Sequence, residues 1–160
     1  MRFLAMVGIV LTGAVLVATP CLAAPWLSAT DYGKVHVVVS EKALANDALA
    51  AKEFAKYWEA STGHAISISA QPTDGINVFI GNDVIPANYV KKMKINAFEG
   101  DGLHLRSIKA RKGASPALII AGGTDHGALY GVYEFFERYM GVRWLAPGVT
   151  FVPQKPGEAC

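Results

Sequence analysis

The chain has 160 residues, 15 Lys and Arg against 13 Asp and Glu, and a hydrophobic share of 52%. A net charge of +2 leaves no basic surface of the kind that nucleic-acid binding requires. Two cysteines, one of them near the N-terminus, exclude a disulfide framework.

The first residues, MRFLAMVGIVLTGAVLVATPCLAAP, place Arg2 ahead of an apolar run from Phe3 to Ala18, then a Thr19-Pro20 break and small residues. This three-part order is that of a secretory signal peptide with cleavage after Ala23 or Ala24. The run is shorter than the roughly 20 residues that span a bilayer, and Pro20 before Cys21 does not suit lipid attachment. Residues 1–24 are therefore expected to direct export to the periplasm or beyond, with no membrane attachment after cleavage. Losing Arg2 lowers the net charge from +2 to +1. Residues 25–160, about 136 in number, suit one domain with one core. Cys160 is then a solitary thiol in an oxidising compartment, which leads us to expect a chain end that is not the natural one.

VHVVV, Val35 to Val39, reads as a short buried strand. From Leu44 to Ser61 the apolar residues Leu44, Ala48, Ala51, Phe54, Ala55 and Trp58 recur at helical steps, with Lys52, Lys56 and Glu59 opposite. Asn46 is the expected N-cap and Gly63 the terminator, and only Leu49 falls off the stripe. Trp58 at this spacing is a core residue rather than a sugar-stacking platform. AISIS (Ala65 to Ser69) and INVFIG (Ile76 to Gly81) read as two neighbouring strands joined through the turn formers Pro72 and Asp74-Gly75.

Asn82 to Glu99 is weakly patterned, and its Lys91, Lys92 and Lys94 read as a solvated surface. After the Asp101-Gly102 turn, LHLRSI alternates as a half-exposed strand. ALIIA (Ala117 to Ala121) is a buried strand that should pair with it as a hairpin. A second helix, N-capped by Thr124 and ending before Gly141, gathers Leu129, Val132, Tyr133, Phe136, Tyr139 and Met140 on one arc. Glu134, Glu137 and Arg138 take the other face. Short extended pieces follow at RWLAP and TFVP. The elements predict an α+β fold, a mixed and mostly antiparallel sheet with two helices packed on one face.

Familiar chemistry fails on inspection. Thr124 stands where a dinucleotide fingerprint needs its middle glycine. Gly122 to Gly127 has P-loop spacing, but Ala128 and Leu129 follow in place of Lys and Ser or Thr, and Asp125 would repel the anion. The turn is better explained as one that lets strand and helix pack closely. Glu134 and Glu137 have the separation of paired glycosidase carboxylates yet lie on the polar face, where Arg138 can bridge Glu134. His36, His64, His104 and His126 show no metal-ligand spacing, and Asp125-His126 has no flanked serine nucleophile. Neither catalytic residues nor a metal or other cofactor are predicted.

The stretches GLHLRS, ALIIAGGTDHGALYGVYEFFERYMGVRWLAPG and VP, taken together, resemble the N-terminal, non-catalytic domain that precedes the barrel in α-glucuronidases, which has relatives in β-hexosaminidase-type glycoside hydrolases. Gly127, Leu129, Tyr130, Gly131, Tyr133, Gly141, Arg143, Trp144, Pro147 and Pro153 match its pattern, and AAKEFAKYWEASTG and VFIG resemble its first helix and following strand. The resemblance implies an accessory domain resembling the second domain of β-hexosaminidase, with the acid and base on a following barrel. Here the sequence stops at Cys160, where that barrel should begin, so a truncated or fragmentary exported enzyme of polysaccharide breakdown is expected. The alternative is a stand-alone secreted carbohydrate-binding or protein-interaction module. On the first reading the partner is a glycosidase barrel; on the second an acidic oligosaccharide is bound. Arg143, Trp144, His126 and Asp125 are the candidate ligand or barrel contacts. RWLAPG, with Arg143 and Trp144, is expected as a bare apolar patch. Gly127, Tyr130, Gly131 and Gly141 are candidate structural positions, Tyr130 with its ring buried and its hydroxyl partnered.

Overall fold

The computed structural model describes residues 27–93, 102–109, 115–123 and 126–154, the side chains of 92 and 93 excepted. The expected export segment, residues 1–24, and Lys94, Asp101, Thr124, Asp125 and Cys160 lie outside the described residues.

A 3-10 turn, Ala29–Lys34, leads into β1 (Val35–Val38), which is followed by α1 (Ala45–Thr62), β2 (Ile68–Ser69) and β3 (Ile76–Ile80). Next come α2 (Ala87–Met93), β4 (Leu103–Ile108), β5 (Ala117–Gly122) and α3 (Gly127–Tyr139), then β6 (Arg143–Ala146) and β7 (Val149–Phe151). Five strands form one sheet in the order β2-β1-β3-β5-β4, and β6 and β7 form a separate antiparallel pair. The mixed α+β fold agrees with the sequence reading. The balance of directions does not: β1 pairs in parallel with β2 and β3, and β3 with β5, so among the described residues β4 against β5 is the single antiparallel pairing of the large sheet.

The cause is visible in the strands themselves. VHVV, INVFI and ALIIAG are buried along their whole length, the mark of strands covered on both faces, as parallel sheets are. Val35, Val37, Ile76, Val78, Ile80, Leu118 and Ile120 point to α1 and α3, where Phe54, Trp58, Val132, Phe135 and Phe136 complete the main core. Val38, Phe79, Ile119 and Ala121 point the other way, to Ile85, Tyr89 and Val90 around α2. Thus α1 and α3 share one face as expected, and the weakly patterned segment supplies cover for the second. AISIS and INVFIG are not neighbours either, because β1 lies between them. With β2 only two residues long, residues 70–75 suffice to return the chain to the start of a parallel strand.

Helix α1 buries Phe54 and Trp58 and ends at Gly63, whose φ is 76°. Its N-cap is Leu44 rather than Asn46, with no side-chain cap, and Leu44 is exposed because it stands just outside the helix instead of on its stripe. Leu49 is exposed, as its position off the stripe requires. Phe135 is buried although the arc read from the sequence omitted it. The hairpin of β4 and β5 pairs Leu103 with Gly122 and Ile108 with Ala117. After α3 the chain turns through Gly141 in the left-handed region, φ 73°, which β-carbon sterics close to most residues.

Candidate functional site

The turn between β5 and α3 is filled by its own backbone. A β-carbon on Gly122 would lie 2.4 Å from Gly127 Cα, and one on Gly131 would lie 2.6 Å from Ile120 Cγ2. Two amides at the start of this turn are already engaged: Gly122 N–H donates to Asn82 Oδ1 at 3.3 Å and Gly123 N–H to Gly102 O at 2.8 Å. Asn82 Nδ2 returns a bond to Gly122 O at 2.8 Å, so one amide side chain grips both polar groups of Gly122. This end of the sheet seats a helix.

The other end of α3 is richer in side-chain chemistry. Trp144 Nε1 donates to Tyr57 Oη at 3.0 Å, and the indole meets the rings of Tyr57 and Tyr133 edge-on at 5.4 and 5.0 Å. Tyr133 Oη donates to Glu53 Oε2 at 3.4 Å, Lys56 Nζ donates to Glu53 Oε1 at 3.1 Å, and the ammonium sits 4.7 Å from the Tyr57 ring centre. Hydrogen bonding to Glu53 raises the Lys56 pKa, while burial, followed by the Glu53 charge, raises that of Tyr133. Trp144, Tyr57, Tyr133 and Lys56 line an open groove of about 1020 Å³, with Ala146, Pro147, Gly148, Thr150 and Val152 also in its wall.

Among the described candidate contacts, Arg143 and Trp144 do not converge with His126. Arg143 Nη1 donates to Glu137 O at 2.5 Å and Val142 O at 2.9 Å, so its guanidinium caps the carbonyl end of α3, where a cation is favoured. His126 lies before the opposite end of α3, roughly 10 Å along the helix from Tyr133 at 1.5 Å per residue. Its ring stacks on Tyr130 with centroids 6.0 Å apart. Tyr130 is 46% exposed, so the expected burial of its ring is corrected: the helix turns that position outward. Glu134 is bridged by Arg138 at 2.7 Å on the surface. Among the described residues no three His, Cys, Asp or Glu side chains cluster as a metal site, and no helix is long and apolar enough to cross a membrane.

The bare apolar patch exists, with Leu145 of the expected stretch in it but not Trp144. Trp144 is half-buried, turned inward onto Tyr57 and Tyr133, while Leu145 (68% exposed), Val149 (52%) and Phe151 (56%) stand on the outer side of β6 and β7. Leu145 lies within the RWLAPG stretch expected to be bare, and alternation along a short strand puts it opposite Trp144, whereas sequence reasoning missed Val149 and Phe151. A bulge between Trp144 and Ala146 then brings Ala146 level with Val149.

A family model described as the glycosyl hydrolase family 67 N-terminus matches residues 29–135, from the first 3-10 turn into α3. A comparison with curated proteins finds no match.

Proposed function

The chain belongs to the glycosyl hydrolase family 67 N-terminal domain family, and from that premise we propose that it is the accessory domain of an exported enzyme of the α-glucuronidase type. It serves polysaccharide breakdown by packing on a catalytic barrel that supplies the acid and base. The observation that carries this reading is the row Leu145, Val149 and Phe151, three large apolar side chains that the described residues leave uncovered beside a well-filled core. Burying each against a partner yields about 1.5–3 kcal/mol, enough for a patch of this size to fix a domain on its neighbour. Trp144 supports the row from behind by wedging between Tyr57 and Tyr133, while Arg143, paired with Phe151, ties β6 to the end of α3.

The test is to mix the purified chain with a family 67 barrel produced without its own N-terminal domain and to measure association by sedimentation. Association that disappears in Leu145→Glu with Phe151→Glu is the expected result, together with no release of uronic acid by the chain alone. Turnover of a uronic-acid oligosaccharide by the isolated chain, abolished by Glu134→Gln or Glu137→Gln, overturns the proposal.

A second reading, a carbohydrate-binding module, is favoured by the groove lined with Trp144, Tyr133, Tyr57 and Lys56. It lies on the inner side of the hairpin, away from the outer row. Calorimetric heat with uronic-acid oligosaccharides that vanishes in Trp144→Ala supports it, and absence of heat at millimolar ligand removes it.

A further inference from the structure

His36 belongs neither to the docking row nor to the groove, yet it is only 6% exposed and both its ring nitrogens are bonded. Parallel pairing sets Val37 beside Ile68 and Val38 beside Ser69, which brings His36, Ser67 and Ser69 to one side of the sheet edge. Nδ1 lies 2.6 Å from Ser67 Oγ and Nε2 lies 2.9 Å from Ser69 Oγ. Ser69 Oγ donates its single hydrogen to Gln71 O at 2.8 Å. It must therefore accept from His36, which puts the hydrogen of the neutral ring on Nε2. Nδ1 is left with its lone pair, and the Ser67 hydroxyl donates to it. Ser67 itself is exposed, while the ring behind it is shielded.

A hydroxyl bonded to a base that a third group orients is the arrangement of an activated nucleophile. We propose that Ser67 is such a nucleophile, with His36 as its general base and Ser69 as the positioning residue that holds the ring in the required tautomer. The co-reactant is an activated ester, whose leaving group is stable as an anion and asks little acid help from the protein. Ser67 Oγ attacks the carbonyl carbon and its proton passes to His36 Nδ1. The bond from carbon to the leaving oxygen then breaks, the oxygen departs with the electron pair, and it takes the proton from Nδ1. The products are acyl-Ser67, the free alcohol or phenol and neutral His36, with no change of oxidation state.

The experiment incubates the full chain with p-nitrophenyl acetate, follows p-nitrophenol release, and maps the acetyl group by peptide mass spectrometry. One acetyl on Ser67 is expected, absent in Ser67→Ala. In His36→Gln the rate should fall about 10²- to 10⁴-fold, the range of general-base assistance. For Ser69→Ala, nitrogen NMR of His36 should show loss of the single Nε2–H tautomer, a signature that a packing role alone would not move. Ser67 is exposed, so Ser67→Ala should leave the fold intact and keeps the test decisive even if His36→Gln fails to fold. Acetyl found on lysines but not on Ser67, or release at the wild-type rate in Ser67→Ala, overturns the assignment.

Discussion

Gly122 and Gly127 meet backbone to backbone: a β-carbon on Gly127 would fall 2.5 Å from Gly122 Cα and 2.8 Å from Gly102 O. The end of β5 and the start of α3 are thus in contact with no side chain between them. A glycine inside a helix costs about 1 kcal/mol against alanine, so the close approach must return more than that.

Gly122→Ala should therefore destabilise the domain by about 3 kcal/mol or more, since the added methyl meets backbone that cannot step aside. Gly131→Ala faces a single methyl of Ile120, at 2.6 Å, and gains helix propensity. Its loss should be smaller, about 1–2 kcal/mol. Urea unfolding midpoints of the two variants, compared with wild type, give the order.

Asn82 holds Gly122 through two hydrogen bonds, one in each direction. Asn82→Ala should cost about 1–2 kcal/mol, at roughly 1 kcal/mol for each bond lost. Asn82→Asp keeps the acceptor and loses the Nδ2 donor, so it should fall between alanine and wild type. Amide hydrogen exchange at Gly122 should quicken in Asn82→Ala ahead of the other amides of β5, which checks that the effect is local.

Trp144→Phe keeps an aromatic ring against Tyr57 and Tyr133 and removes the hydrogen bond to Tyr57 Oη. The expected loss is about 1 kcal/mol in thermal unfolding. Trp144→Ala also opens the space between the hairpin and the helices and should cost more, about 2–4 kcal/mol, below the full range for a buried tryptophan because the ring is half-exposed. If both variants unfold at the wild-type temperature, the hairpin is not anchored through this ring.

Partial burial on β4, with the nearby Arg106 charge as the lesser cause, holds His104 below its ordinary pKa of 6.5. Unfolded, the imidazole takes up its proton as the pH falls through 6.5; folded, it does so only at lower pH. Between those values the unfolded chain binds more protons, so this contribution to stability is complete above 6.5 and is lost as the pH drops across the window. His104→Gln should flatten that acid-side decline, as read from urea midpoints on either side of pH 6.5.

Much of the fold can be read along the chain. The helical stripe carrying Phe54 and Trp58, the stop at Gly63 and the β4–β5 hairpin all depend on periodicity or on turn residues within a few positions. The glycine spacing from Gly122 to Gly131 raised the question of a phosphate, and the absence of Lys and Ser or Thr already argued against one. What escaped was directional. A fully apolar run such as ALIIAG is compatible with parallel and antiparallel partners, and it takes one of each, β3 in parallel and β4 antiparallel, under cover from α1 and α3 on one face and α2 on the other. The outward turn of Val149 and Phe151 escaped for a related reason, since a strand of three residues gives alternation too little length to register.

By itself the amino-acid order determined the two long helices and most strands, though not α2 or the shortness of β2, that the turn after β5 is a packing device, and which family pattern the chain carries. These rest on local sterics and on spacing, which need no knowledge of distant partners. The tertiary structure alone decided that β1 separates β2 from β3, that Trp144 faces inward while its neighbours face out, and that His36 meets Ser67 and Ser69. Each is a contact between residues 31 or more positions apart, and such contacts are set by the balance of burial over the whole core rather than by any one stretch of chain.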